Sequence, residues 1–366
     1  MRNVWLRLRE CGLTAQCKLV TAKPASMEDT SVVCKDSYFT FHGAHPWSHH
    51  QLDKARIAAG TVTELALLVA QGNLKNGFAI VQKLKHHDAL ELPLSKLMSS
   101  FSSVAVAAKQ LQQSVKKILI VDWDVHHRST VQELFYTDPR VLYISLHQYC
   151  ETMASSKRGG PNEVGLGEGE GFNVNVPWSG HLDSPIGDTE YMEAFRTVVM
   201  PIAHEFSPDM VLVSSEFNAV DGHPASQGGY RVSAKCFGVL TQKLMKLARG
   251  RVVVVLECDH DLNAICDASE ECINALLYRK TASLSDDVFQ KKPCANAVRS
   301  LQKVLQIQSK YWSSVRFLTQ TGLWLEAERK CSADNDAPKA LSSLSLGHNE
   351  PAEHDEDELP MWEKTG

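Results

Sequence analysis

The chain of 366 residues is long enough for one large α/β domain with an additional tail. Its 43 acidic and 38 basic residues give a net charge of -5, which excludes a bulk electrostatic attraction to nucleic acid. Charges interrupt the apolar residues at the start of the chain, and no apolar run approaches the roughly 20 residues of a membrane span. We therefore expect neither direct nucleic-acid binding nor a membrane anchor.

Short apolar runs rich in valine and isoleucine predict five strands, at residues 77–81, 117–125, 141–147, 209–215 and 251–257. Each run is nearly continuous in apolar residues, which is typical of parallel strands covered on both faces. Between the strands, residues 188–206 and 232–249 carry apolar side chains at helical spacing. This alternation predicts a three-layer α/β fold with a central parallel β-sheet flanked by helices, and ligands at the carboxyl ends of the strands.

The pattern fades after about residue 325. Residues 326–366 are acidic and polar, and they predict a mostly disordered tail behind a domain of residues 1–325. Leu341, Leu344 and Leu346 form a small leucine cluster in this tail. The cluster is either a docking or nuclear-export peptide or has no role.

Three potential metal ligands follow one of the predicted strands. Asp122, Asp124 and His126 are two residues apart and share one face of a strand. A carboxylate and an imidazole placed in this way are good ligands for zinc or another divalent metal. The alternative is a strand end whose charges face solvent, but two carboxylates that end an apolar strand favour a site.

Other polar side chains follow the neighbouring strands. His86 and His87 come after the first strand and suit general acid–base work on metal-bound water, although adjacent histidines are also common on surfaces. The remaining candidates at this edge are Asn218, Asp221, His223, His260 and Asp261. Four strand ends that carry such residues predict a shared site.

The motifs DWDVHH, SLH, GFNVNV, GGYRVSAKCFG and HDLNAICDASE resemble the zinc-dependent histone deacetylases, class IIa in particular. The resemblance covers about residues 1–315. It implies an arginase/deacetylase-like fold with a central eight-stranded parallel sheet. It also implies hydrolysis of acetyl-lysine in histone tails, transcriptional repression with a corepressor complex, and a location in the nucleus and cytoplasm.

Carried over by position, the resemblance assigns a role to each candidate residue. The zinc ligands are Asp124, His126 and Asn218, and a structural potassium site takes Asp122, Asp124, His126, Ser145 and Leu146. The catalytic residues are His86, His87, Asp122, which orients one of that pair, and His260, which stands where active classes have tyrosine. Phe172 and Met98 match the walls of the acyl-lysine channel.

The departures from the family pattern lie at this site. The third zinc ligand is normally aspartate in G-F-D-A, but EFNA places the weaker amide ligand Asn218 there. The turn H-H-G-N-G-T reads HHRSTV, so side chains stand where glycine allows a positive φ or close packing. Lys85 and Cys258 are further replacements. By this resemblance, we expect the chain to begin after the family's Cys/His structural-zinc segment, and the Cys-Gly-Gly partner of that segment is not found before residue 50, which predicts an incomplete N-terminal lobe for corepressor binding.

These features lead to three hypotheses. The first is a degenerate deacetylase domain, a pseudoenzyme that serves as a binding module in repression. The second is a slow lysine deacylase in which Asp221 supplies the missing carboxylate. The third is a poorly folded product of a decaying gene copy.

Overall fold

The computed structural model describes residues 1–21, 23–31, 49–82, 101–149, 158–179, 185–223, 229–258, 262–279 and 283–320. His86, His87, Met98 and His260 lie outside the described residues, as does the predicted tail. Their predicted roles and the predicted domain boundary near residue 325 stay predictions.

A parallel sheet forms the centre of the described region. Its six strands are β1 (Gly77–Gln82), β2 (Ile118–Asp122), β3 (Val141–Tyr149), β4 (Asn173–Ser179), β6 (Met210–Ser215) and β8 (Val252–Cys258), in the order β1-β8-β6-β2-β3-β4. Two-residue strands β5 (Ile186–Gly187) and β7 (Tyr230–Arg231) pair separately. All neighbouring strands run parallel, which confirms the predicted fold class.

Helices connect these strands. They are α1 (Arg2–Glu10), α2 (Met27–Ser31), α3 (His49–Ala70), α4 (Ser103–Leu111), α5 (Ser129–Phe135), α6 (Asp188–Ala194), α7 (Met200–Phe206), α8 (Ala234–Leu244), α9 (Asn263–Leu276), α10 (Asp286–Gln290), α11 (Ala295–Gln308) and α12 (Ser313–Gln320). The helix predicted over residues 188–206 is interrupted, because a π-helical turn at Phe195–Val199 lies between α6 and α7. None of the helices in the described ranges has the length and apolar character needed to cross a membrane.

Helices cover the sheet on both faces and bury its central strands. On one face, apolar residues of α3, α4 and α5 pack with Ile118 and Ile120 of β2 in one continuous core. Behind β2, Trp123 contacts the rings of Phe195 and Phe237, whose centroids lie 6.5 and 5.6 Å away. Every residue of β2 is buried, as expected for a continuous apolar run at the middle of a parallel sheet.

The strand register fixes which side chains meet at the carboxyl edge. Asp122, the last residue of β2, is paired with Ser145 of β3 on one side and with Ser214 of β6 on the other. The strand predicted to reach residue 125 therefore ends at Asp122. The next peptide, at Trp123, still donates to the carbonyl of Ser214. The residues from 123 to 128 form the loop that leads to α5.

Candidate active site

Three predicted metal ligands lie together beyond β2 and β6. The Nδ1 atom of His126 lies 3.5 Å from Oδ2 of Asp124 and 3.4 Å from Nδ2 of Asn218. Two ligand atoms on a tetrahedral zinc ion, each about 2 Å from it, lie roughly 3.3 Å apart. The chain thus preserves the spacing of the ligand positions that the resemblance implies.

The chemistry of the third position differs, because the amide nitrogen of Asn218 faces the site. This Nδ2 atom donates a hydrogen bond to Oε2 of Glu216 at 3.0 Å. If the amide were turned over, its oxygen would face the Glu216 carboxylate and the two would repel. Between these residues Phe217 adopts φ 58°, with its buried ring 4.9 Å from that of Phe237. The left-handed backbone at Phe217 lets the side chains of Glu216 and Asn218 meet, so that Glu216 can orient the Asn218 amide.

Arg128 joins the carboxyl ends of three strands. Its Nε atom lies 3.3 Å from Oδ2 of Asp122, and its Nη1 atom donates to Oε2 of Glu257 in β8 at 2.7 Å. Its Nη2 atom donates to Oε1 of Glu216, directly after β6. We call these four residues the charged cluster. Only 12% of the Arg128 side chain is exposed, and the three carboxylates are at most 7% exposed.

Burial and mutual charge shift the ionisation of this cluster. Burial raises the pKa of Asp122 to about 7, although Arg128 opposes the shift. Burial alone would lower the pKa of Arg128, but Glu257, Glu216 and Asp122 together raise it well above its usual value. The guanidinium therefore stays charged at every pH at which the protein is folded.

The backbone at Arg128 has a negative φ, although a glycine stands at this position in the family motif. Its φ is -97° and its ψ is 81°, and its carbonyl accepts from the amides of Val131 and Gln132 at the start of α5. Ser129 and Thr130 are already helical. This turn therefore does not use the positive φ that favours glycine.

The donor set does not fit a zinc ion. It consists of one carboxylate, one imidazole and an amide whose nitrogen, which has no lone pair to donate, faces His126. Within the described ranges, no group of three or more His, Cys, Asp or Glu side chains has an arrangement that could hold a metal ion.

The side chains of the predicted potassium site already have partners within the chain. One oxygen of Asp122 accepts from the amide of Asp124 at 3.1 Å, and the other faces the guanidinium of Arg128. Ser145 lies beside Asp122 in the sheet, and its hydroxyl is 2.8 Å from Nδ1 of His147. Leu146 is buried in β3. The potassium site stays a prediction.

A second polar cluster lies beside the first, between α5, the carboxyl end of β3 and the first residues of β4. Oε1 of Gln132 accepts from the side-chain amides of Asn173 and Asn175 at 3.1 and 2.9 Å and is 3.1 Å from Nε2 of His127. The ring of His127 lies 4.4 Å from that of His147. We call these five residues the neutral cluster. Burial lowers the pKa of His127 to about 4 and that of His147 well below its usual value, so both imidazoles are uncharged at neutral pH.

Two further predicted residues lie away from the ligand positions. Phe172 precedes β4, and its ring packs on Phe206 and Trp312 with centroids 5.9 and 5.6 Å away. That position is at the amino end of β4, opposite the edge that carries Asp122, so the structure does not support a channel wall there. Asp221 is 66% exposed, and the guanidinium of Arg231 lies 4.0 Å from its carboxylate.

Sequence reasoning missed Glu216, Glu257 and Gln132 and judged Arg128 only as a lost glycine. A signal was present, because glutamates stand at the ends of two apolar strands, as Asp122 does at a third. Glu257 is buried and also accepts from the backbone nitrogen of Ser103 at 2.9 Å. A buried carboxylate at a strand end requires a cationic or hydrogen-bonding partner, and Arg128 was the nearest basic residue in the motif.

Comparison with known proteins gives consistent matches. A model of the histone deacetylase domain matches residues 4–276. Histone deacetylase 7 of Homo sapiens is 45% identical over 407 residues (99% of this chain, 42% of that protein). Histone deacetylase 9 of Homo sapiens is 46% identical over 347 residues (84% of this chain, 34% of that protein). The chain thus spans less than half the length of either human relative.

Solved structures agree with these matches. The structure of the histone deacetylase Clr3 superposes with a TM-score of 0.69 at 31% identity, covering 86% of this chain and 54% of that chain. The crystal structure of the HDA15 HD domain gives a TM-score of 0.71 at 32% identity, covering 88% and 90% of the two chains.

Proposed function

Since the chain belongs to the histone deacetylase family and its motifs and human relatives are those of class IIa, we propose that it is a deacetylase domain whose hydrolytic activity is weak or lost. In this proposal the domain acts as a binding module in transcriptional repression. The observation that carries it is the orientation of Asn218, whose amide nitrogen is turned toward His126 by Glu216.

The chemistry of the family explains why this position decides the activity. Zinc-dependent hydrolysis needs a metal ion that polarises the acyl carbonyl and activates a water molecule. That ion is held by anionic or neutral lone-pair donors, and the present set lacks the second carboxylate. Arg128 adds a positive charge against Asp122, 3.3 Å from its Oδ2 atom, and this further disfavours a dication nearby.

The binding role follows from the contrast between this site and its scaffold. The parallel sheet and its apolar core are well packed, so the surface around the site is presented on a stable framework. By family resemblance, we propose an acyl-lysine peptide or histone tail and a corepressor complex as partners, and the nucleus and cytoplasm as locations. Since the chain spans only part of its human relatives, partners of the full-length proteins reach it only as proposals.

The test combines metal content with turnover. We expect purified protein loaded with zinc to retain far less than one ion per chain by elemental mass spectrometry and to leave an acetyl-lysine peptide unhydrolysed. Asn218→Asp alone should not restore zinc, because the new carboxylate would face Glu216 where Nδ2 now donates at 3.0 Å. The triple variant Arg128→Gly/Glu216→Gly/Asn218→Asp should bind about one zinc ion per chain.

Asn73→Asp is the matched control, because Asn73 is exposed and is distant in sequence from the site. It should change neither the zinc content nor the hydrolysis of the acetyl-lysine peptide. The proposal fails if the wild-type protein holds about one zinc ion and hydrolyses the peptide in a zinc-dependent manner. If that activity disappeared in Asp221→Ala, the slow-deacylase hypothesis would replace it. A broad thermal transition at low temperature would instead support the poorly folded product.

A further inference from the structure

We propose that Arg128 is the internal cation of the carboxyl edge, whose guanidinium joins the ends of β2, β6 and β8, so that this edge stays folded without a bound metal ion. The inference concerns the same site but goes beyond the loss of turnover. It depends on the contacts of the charged cluster alone and not on what the domain binds.

The geometry distributes the guanidinium over three strands. Nη1 donates to Glu257 in β8, and Nη2 donates to Glu216 after β6. Nε lies 3.3 Å from Asp122 at the end of β2, an ion-pair contact without a hydrogen bond. These strands are neighbours in the sheet order β8-β6-β2. A planar guanidinium with several fixed donors can bridge three separate carboxylates, whereas the single nitrogen of a lysine cannot reach all of them equally.

The electrostatics of the edge require such a cation. Asp122, Asp124, Glu216 and Glu257 are all at most 6% exposed, and they crowd four carboxylates into one buried region. Buried carboxylates are costly unless a cation or hydrogen-bond donors compensate them. A metal ion is one way to supply the charge, and Arg128 supplies it from the chain itself.

The second observation is that both residues of one ion pair, Arg128 and Glu216, replace glycines of the family motifs. Arg128 stands at the first glycine of H-H-G-N-G-T, and Glu216 stands at the glycine of G-F-D-A. These positions are 88 residues apart, yet the two side chains form an ion pair in which each is largely buried. Without Arg128, Glu216 would be buried with no cation beside it, so the arginine compensates the second replacement.

Thermal unfolding of the full chain tests the inference. We expect the melting temperature of the wild-type protein to be unchanged by a chelator or by exchange of potassium for sodium. Arg128→Gln should lower it by about 6–10 °C, because three carboxylates lose their cation. The matched control is Arg196→Gln, which removes a surface pair with Glu193 from an arginine that is 63% exposed. That control should shift the melting temperature by at most about 2 °C.

Two further variants make the test specific for charge. Arg128→Gly leaves converging carboxylate oxygens, which are the ligands that calcium prefers, so added calcium should raise its melting temperature but not that of the wild-type protein. Glu216→Gln should cost less than Arg128→Gln. The double variant Arg128→Gln/Glu216→Gln should lose less than the sum of the two single changes.

The inference is overturned if chelation lowers the wild-type melting temperature as strongly as Arg128→Gln does, or if Arg128→Gln behaves like Arg196→Gln. If Arg128→Gln does not fold, Arg128→Lys, which keeps the charge but not the fork, should give a folded protein with a smaller loss. An unchanged melting temperature in that variant would count against the three-strand contact. A protein with deacylase activity and a chelator-insensitive melting temperature would refute the proposed function and leave this inference intact.

Discussion

The charged cluster and the neutral cluster perform the same structural task with different chemistry. Both are organised by α5: Arg128 precedes the helix, and Gln132 lies within it. The charged cluster holds β2, β6 and β8 with one guanidinium. The five residues of the neutral cluster connect β3 and β4 with amides and imidazoles, and Nε2 of Gln132 also donates to the carboxylate of Glu163 in the loop before β4.

The difference concerns what happens when one member is lost. In the neutral cluster, removal of a partner leaves a buried donor or acceptor unsatisfied, which costs about 1–3 kcal/mol. In the charged cluster, loss of Arg128 leaves buried carboxylates without their cation, which costs about 3–5 kcal/mol. Loss of a carboxylate removes hydrogen bonds to a charged group, which contribute about 1.5–3 kcal/mol each. The two adjacent clusters should therefore differ in their sensitivity to conservative substitutions.

The largest loss of stability among these predictions should come from Glu257, a carboxylate of the charged cluster. Glu257→Gln removes the carboxylate that accepts from Arg128 at 2.7 Å and from the backbone of Ser103 at 2.9 Å. We expect the free energy of unfolding to fall by about 3 kcal/mol in urea titrations, because hydrogen bonds to charged groups contribute about 1.5–3 kcal/mol each. Added salt should not remove the difference, since buried pairs are screened far less than surface pairs. Glu193→Gln, at a surface pair, is the control, and an equal loss there would contradict the comparison.

A smaller effect should follow from the centre of the neutral cluster. Gln132→Leu keeps the approximate volume but removes the acceptor shared by Asn173, Asn175 and His127. We expect a loss of about 2 kcal/mol in the same titration. Gln113→Leu, at an exposed position, should be near neutral. A loss for Gln132→Leu that exceeded that of Glu257→Gln would reverse the proposed ranking.

The smallest effect should come from the amino edge of the sheet, where charges are partly solvated. Burial alone would raise the pKa of Asp138, but hydrogen bonds from Arg140 and Gln112 lower it to about 2. A lowered pKa stabilises the protein above the ordinary carboxyl value of about 4, and this contribution is lost as the pH falls from about 4 to about 2. Asp138→Asn should therefore cost about 1 kcal/mol at pH 7, after allowance for solvent screening.

The pH profile is the check on this last prediction. The wild-type protein and Asp138→Asn should converge in stability as the pH approaches about 2, where the carboxyl is protonated in both folded and unfolded chains. A difference that is constant with pH would show that Asp138 acts by packing and not by charge.

The sequence predicted the scaffold better than the site, because strands are indicated by residues that are neighbours in the sequence, whereas the site depends on contacts between residues far apart in the chain. Continuous apolar runs such as that of β2 are local patterns and indicate buried strands directly. β4 was not predicted, because its sequence NVNVPWS alternates asparagine with valine and contains proline. Its asparagines donate to Gln132 in the neutral cluster, and this long-range contact cannot be recognised in the local sequence.

The charged cluster could not be predicted for a related reason. Arg128 meets Glu216 and Glu257 across 88 and 129 positions of chain, and only the folded sheet shows that these residues are neighbours. The ligand positions Asp124, His126 and Asn218 were predicted to lie together, and they do. The direction of the Asn218 amide depends on Glu216 and required the structure.

The pairing of Arg128 with Glu216 also has a historical consequence. Reversion of Arg128 to glycine on its own would leave Asp122, Glu216 and Glu257 buried without their cation, so that intermediate would be less stable than the present chain. Reversion of Glu216 on its own would leave Arg128 paired with Asp122 and Glu257 and should cost less. The order of the two changes therefore matters, and a stepwise return to the two glycines would have to begin at Glu216.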